Sequence, residues 1–419
     1  MQRRASMRER KRWTRMPLMP EELVREIMAR LPVKSLLRFR SVCRAWRATI
    51  SDDPSFLRAH LQHQRPSFLI ARQMATSVGF FRLQEGQNLK GTATLLHAAA
   101  GDVLPVNNPH PLAHCDGLVL VPTDDKQVRV FNPATAQIAV LPWSPGADRP
   151  SSTMWPRRLG SHQSFGLGRD PVSGAYKVAR FFYREVYAVA TGANVLTTGM
   201  EVFTLQGDNR EWRETAAQPT HPVLTQRTAT FFEVEGSLLW VTCSAGSFLR
   251  FNLEDETFTL TPGPPPMEMD NKYEECSLVE VRGELCVARP SGPRHNCKVE
   301  MWWMSRGGGG GEGEWEWQLR YSVRVGCLTR PISAAASDHG DGVLFVDVLG
   351  YMSYYDGLLG VGTTCPRLRD VACVHRLRWQ RKPTDNTAAI ASLVDDDDTY
   401  PGHFYLNTVP YVQSLVQIP

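Results

Sequence analysis

From Met19 to Leu61 the apolar residues recur in steps of three and four, the period of a helix. Leu23, Ile27 and Leu31 make one stripe, which Val24 and Met28 widen. Pro20 suits a first helical position, where its missing N–H costs nothing. Glu21 and Glu22 at the start and Arg30 at the end complement the helix dipole. Pro32 ends this helix, because Leu31 before it is pushed out of the helical region. Ser35 is then expected to cap a short second helix carrying Leu36, Leu37 and Phe39. Val42, Trp46 and Ile50, four apart, predict a third, which Asp52, Asp53 and Pro54 stop. From about Pro66 the helical period gives way to short apolar runs between Gly, Pro and Asp turns, the pattern of many short strands. The chain therefore reads as a small three-helix module over 17–62 and a large all-β domain over 66–419, an α+β multidomain arrangement.

A module of about forty residues buries too little to hide all of these side chains within itself, and no metal-ligand spacing supports it. Some of its apolar surface is expected to lie against another protein. At this point the segment resembles an F-box. The matching residues are Met19-Pro20, Leu23, Ile27, Leu31-Pro32, Lys34 to Arg38, and Val42-Cys43-Arg44-Ala45-Trp46. Met19 stands where the family usually has Leu, and Arg44 where it has Lys. The resemblance implies docking on a Skp-family adaptor, and through it on the cullin and RING subunits of a ubiquitin ligase. Its expected contact residues are Pro20, Leu23, Ile27, Leu31, Pro32, Leu36, Leu37, Val42, Cys43 and Trp46, some of which must instead hold the helices together. Cys43 is expected to be a small buried apolar residue.

The β-rich part contains internal repeats. The thirteen residues Val130 to Pro142 align without gaps on Arg250 to Pro262, matching at Phe-Asn, at a later apolar pair and at the closing Pro. A Gly-led strand precedes each copy, at Gly117 and Gly236, and others start at Gly283 and Gly342. A second unit, Glu201 to Leu205 followed by Trp212, resembles Glu300 to Met304 followed by Trp315 and Trp317. Both read as hairpins, with Gly307 to Gly311 as a lengthened loop in the second. Units at this spacing predict a β-propeller of about six or seven blades, with a β-sandwich-like array as the alternative. Phe131-Asn132-Pro133-Ala134-Thr135, Leu141-Pro142 and Phe165 to Asp170 leading to Tyr176-Lys177-Val178 also resemble the kelch-related F-box-associated domain of plant F-box proteins. The double-Gly and Trp signature of true kelch repeats is missing.

Composition narrows the function. The formal net charge is +4, but the first fifteen residues hold seven Arg/Lys against one Glu, so the remainder is slightly acidic and no nucleic-acid surface is expected of it. Residues 1–16 read as a basic flexible tail or a nuclear import signal. No apolar run is long enough to span a membrane. Nine cysteines without a C-x-x-C pair favour a reducing compartment, the nucleus and/or the cytoplasm. No nucleophile elbow, zincin or phosphate-loop motif occurs. Cys365, Cys373 and His375, and likewise His110, His114 and Cys115, read as structural rather than metal-binding. Trp302 and Trp303 are candidate binding aromatics, of which at most one needs to face solvent. The expected role is a cofactor-free, non-catalytic receptor that joins an unidentified target protein to the ligase. A ligase-independent scaffold and a carbohydrate- or small-ligand-binding propeller remain the alternatives.

Overall fold

The computed structural model describes residues 19–65 without interruption and much of 67–418, omitting 85–91, 101–111, 145–161, 266–275, 307–314, 357–367, 381–406 and several shorter stretches. Side chains of 323–408 lie outside this description, as do Gly307 to Gly311, Cys365 and His375. The chain divides into two compact units, Met1–Gln64 and Arg65–Pro419.

The first unit has four helices, one more than expected: α1 (Glu21–Ala29), α2 (Val33–Phe39), α3 (Arg44–Asp52) and α4 (Pro54–His63). Asp53, read only as a stop signal, caps the extra helix. Its Oδ1 accepts from the backbone N–H groups of Ser55 (2.9 Å) and Phe56 (3.2 Å), with Pro54 at the first helical position. Pro20 is the N-cap of α1 rather than its first residue. Ser35 does not cap α2. Pro32 holds that position, and its carbonyl accepts from Ser35 (2.9 Å) and Leu36 (3.3 Å), so one proline both ends α1 and starts α2. Val42 lies outside α3, in a turn closed by its N–H on the Phe39 carbonyl at 3.0 Å. Met28, Ala29, Val33, Leu36, Ile50, Phe56 and His60 form the buried interior.

The second unit is a β-propeller. Four-stranded antiparallel sheets are formed by β4 (Ala113–Cys115), β5 (Leu118–Pro122), β6 (Val128–Asn132) and β7 (Gln137–Val140), and by β8 (Gln163–Arg169), β9 (Tyr176–Ala188), β10 (Ala193–Thr204) and β11 (Arg213–Glu214). Next come β12 (Thr230–Phe232), β13 (Ser237–Val241), β14 (Ser247–Asn252) and β15 (Phe258–Pro262), then β16 (Ser277–Val281), β17 (Glu284–Ser291), β18 (Cys297–Arg306) and β19 (Trp315–Val325). The fifth is β20 (Thr329–Ser333), β21 (Gly342–Asp347), β22 (Tyr351–Asp356) and β23 (Leu368–Cys373). A sixth, five-stranded sheet combines β1 (Ser67–Gln73), β2 (Ser77–Gln84) and β3 (Thr92–Ala100) with β24 (Arg378–Gln380) and β25 (Asn407–Tyr411) from the far end of the chain. Strands β25, β4, β8, β12, β16 and β20 each touch the next and the last returns to the first, which makes a closed inner ring. Six sheets agree with the lower of the two blade numbers expected.

Strand β25 closes the ring by pairing with β1, from Ser67↔Tyr411 to Ala71↔Asn407. The residues after it extend the closure. Asn132 Nδ2 donates to the carbonyls of Ser414 (3.1 Å) and Val416 (2.7 Å), and Val416 and Ile418 enter the core beside Leu118 and Val130. Gly117 has φ of +80°, and a Cβ there would overlap the Val412 carbonyl and Ser414, so both conformation and space require glycine.

The Phe-Asn repeat has one physical basis. Asn132 Oδ1 accepts from Ala134 N–H at 2.9 Å and Asn252 Oδ1 from Glu254 N–H at 2.8 Å. Four residues after each Asn the chain turns through left-handed backbone, at Ala136 (φ +60°) and Glu256 (φ +58°). The hairpin repeat likewise has shared bonds. Arg180 faces Glu201 across β9 and β10, and Arg289 faces Glu300 across β17 and β18; both are buried ion pairs. Trp212 Nε1 donates to the Pro142 carbonyl and Trp317 Nε1 to the Pro262 carbonyl, each at 2.7 Å. The closing proline of one repeat is therefore the acceptor for the tryptophan of the other. The real repeating unit is a pair of blades, β4–β11 and again β12–β19.

The Phe165 to Asp170 motif is a packing device. A Cβ at Gly168 would come within 2.6 Å of Leu253 and Phe231 of the next blade. Gly168→Ala is therefore expected to destabilise the β unit by about 1–3 kcal/mol through overpacking, read as a lower midpoint of its thermal transition.

Candidate protein-docking face

The ten expected contact residues separate by exposure. Leu23 (49%), Ile27 (50%) and Val42 (60%) face solvent. Pro20, Pro32 and Cys43 are exposed, while Leu31, Leu37 and Trp46 are half-buried. Leu36, at 0%, is a core residue and is withdrawn from the contact set. It lies one helical turn after Val33, equally buried, so its face of α2 turns inward. Met19, 55% exposed, is a further outward apolar residue, although its position in the motif did not place it among the contact residues. The signal was available: Met19, Leu23 and Ile27 stand four apart.

Cys43 corrects the expectation of burial. It is exposed at the N-cap of α3, where its Sγ accepts from Trp46 N–H at 3.4 Å. Trp46 turns back toward α2, its ring 5.3 Å from that of Phe39. Trp46 therefore contributes to the bundle as well as to its surface.

Two interactions keep α1 and the Leu31-Pro32 break in place. Arg25 pairs with Asp53 at 2.5 Å and lies over the Phe56 ring at 5.7 Å, joining α1 to α4. The Arg25 hydrogen bond, aided by the cap bonds, holds the Asp53 carboxyl well below the usual carboxylate range. His60 is buried, and its Nε2 lies 3.0 Å from the Leu31 carbonyl. As donor it shares with the Gln64 side-chain amide, at 3.4 Å, the carbonyl that the proline break frees. Burial pushes the His60 imidazole down.

The β unit offers little chemistry. Among the described residues no three His, Cys, Asp or Glu side chains are placed to hold a metal ion. Cys115 is buried in the core, and burial raises its thiol well above the ordinary value. Neither candidate tryptophan is exposed. Trp303 is buried against Tyr321 with ring centroids 5.3 Å apart, and Trp302 is half-buried, with the Arg289 guanidinium 5.7 Å from its ring.

Leu36→Ala is expected to lower the stability of the helical unit by about 2–5 kcal/mol, as core truncations do, measured by the loss of helical ellipticity at 222 nm on heating. For His60 the depressed pKa means that the unfolded chain takes up its proton first as pH falls. Its contribution is full above the free value, about 6.5, and is lost as pH drops through it. The helical melting point is expected to fall between about pH 7 and 5, and His60→Gln to flatten that dependence. Asp53 acts only in more acid solution.

Comparison with known proteins agrees with this geometry. Residues 16–58 match the F-box domain, and residues 68–318 match the F-box associated beta propeller domain. The F-box protein At2g43440 of Arabidopsis thaliana is 26% identical over 309 residues, covering 72% of this chain and 67% of that protein. The F-box/kelch-repeat protein At2g43270 of the same plant is 30% identical over 184 residues, covering 41% and 82%. The F-box protein At2g07140, also from Arabidopsis thaliana, is 26% identical over 317 residues, covering 70% and 73%. A helical unit with outward apolar residues, a ring of six sheets and both domain matches lead to one conclusion: the chain belongs to the family of F-box proteins that carry an F-box associated β-propeller domain.

Proposed function

We propose that this protein is the substrate-recognition subunit of an SCF-type ubiquitin ligase. Its F-box docks on a Skp-family adaptor, and its propeller captures a target protein. The observation that carries this reading is the exposure of Met19, Leu23, Ile27 and Val42, large apolar residues in a unit of only four short helices. Exposed single apolar residues are common, but Leu23 and Ile27 stand one turn apart on the same face of α1, which favours a contact surface there. The propeller supports the second half of the role. A closed ring whose blades carry buried Arg–Glu pairs is a stiff platform, and stiffness lowers the ordering cost of binding.

In this reading the chain makes and breaks no bonds. Tethering raises the effective concentration of a target lysine near the charged ubiquitin carrier. The cullin and RING subunits join through the adaptor.

Leu23→Ala with Ile27→Ala is expected to weaken adaptor binding by about 2 kcal/mol or more, as loss of buried anchors does, and to leave the melting curve unchanged. Titration of the full-length chain against purified adaptor measures it. In a reconstituted ligase the same variant is expected to stop target ubiquitylation. Unchanged adaptor affinity in a folded double variant would contradict the proposal.

A further inference from the structure

The charge on the helical unit is as uneven as its apolar surface. Between Glu26 and Asp52 the chain carries six Arg/Lys and no Asp or Glu. Arg30 turns back to pair with Glu26 at 2.8 Å. The other five, Lys34, Arg38, Arg40, Arg44 and Arg47, have no carboxylate partner among the described residues. Arg47 gives its Nε to the Arg40 carbonyl at 3.2 Å and keeps its charge unpaired. Lys34, Arg38, Arg44 and Arg47 are exposed, and Arg40 is half-buried.

Surfaces of small domains ordinarily mix both signs, and a one-sided field is a steering device. Here the basic residues adjoin the apolar ones. Arg40 and Arg44 bracket the exposed Val42 and Cys43 in the α2–α3 turn. The exposed acids Glu21 and Glu22 stand at the start of α1, outside the basic run. A nucleic-acid backbone would use the cations but has no use for Met19, Leu23, Ile27 and Val42.

We propose that the surface covering this unit is an apolar groove rimmed by carboxylates, and that Lys34, Arg38, Arg40, Arg44 and Arg47 steer the encounter with it. This rests on the adaptor reading above and names the chemistry of that partner. Charges of this kind set the association rate, whereas the buried anchors set dissociation.

The test uses the full-length chain and purified Skp-family adaptor, with association and dissociation followed at about 50 and 500 mM salt, across which screening becomes severe. The wild-type association rate is expected to fall about tenfold across that range, with little change in dissociation. Arg38→Glu with Arg44→Glu is expected to slow association about tenfold at low salt and to flatten the salt dependence. Arg38→Gln with Arg44→Gln is expected to lie between, and thermal melting confirms that each variant is folded. An unchanged association rate and salt dependence in the charge-reversed chain would overturn the steering proposal alone, provided that Leu23→Ala with Ile27→Ala still dissociates faster. If neither pair of substitutions alters adaptor binding, both this proposal and the adaptor reading fail. If charge reversal abolishes binding to a short single-stranded RNA and leaves adaptor kinetics untouched, the basic run serves a polyanion and the proposal is wrong.

Discussion

One nine-residue helix, α1, divides its apolar side chains between the interior and the surface. Met28 and Ala29 of α1 are buried, while Leu23 and Ile27 are about half exposed on the other side. Arg25, clamped to Asp53 and laid over Phe56, keeps α1 from rolling those residues under. Fully burying such a side chain is worth about 1.5–3 kcal/mol, so covering the remaining half contributes on the order of 1 kcal/mol each. That is too little for the unit to capture by rearranging itself and enough, over several residues, for a partner to use.

The propeller solves a different problem. Six separate sheets must be held in one ring, and the joint is made by β25, which pairs with β1 and is sealed by Asn132, Val416 and Ile418. The polar bonds of the ring repeat by pairs of blades. A Trp–Pro carbonyl bond and a buried Arg–Glu pair occur within each two-blade unit, at Trp212 with Arg180 and Glu201, and at Trp317 with Arg289 and Glu300. Buried ion pairs are weak evidence of net stability, because desolvation offsets their attraction. Their value here is geometric: removing one partner would strand the other in the core, so each pair fixes its strand register.

Much of this was legible because local chemistry repeats. The Phe-Asn motif is an Asx turn, and the glycines at 117, 236 and 283 all adopt positive φ at the same hairpin position. The two Leu/Met-Pro steps marked the boundaries of α1 correctly to within a residue or two. What could not be read was long-range. Nothing near Asn407 announces that it pairs with Ala71, and nothing near Trp212 names Pro142 as its acceptor. Leu36 and Ile27 are equally apolar in sequence, yet one is core and the other surface, because only the packing of α2 decides which face turns inward. Cys43 was misplaced for a related reason: a residue type that is usually buried serves here as a helix cap. The fourth helix was missed because Asp53 and Pro54 are both a stop and a start signal, and the stop was read alone.

Amide hydrogen exchange of the full-length chain, alone and with a saturating Skp-family adaptor, tests the central claim most directly. The account expects new protection across Met19 to Leu31 and around Val42 to Trp46, with the propeller strands unchanged. Protection that appears only in the propeller, or no change along α1, would contradict it.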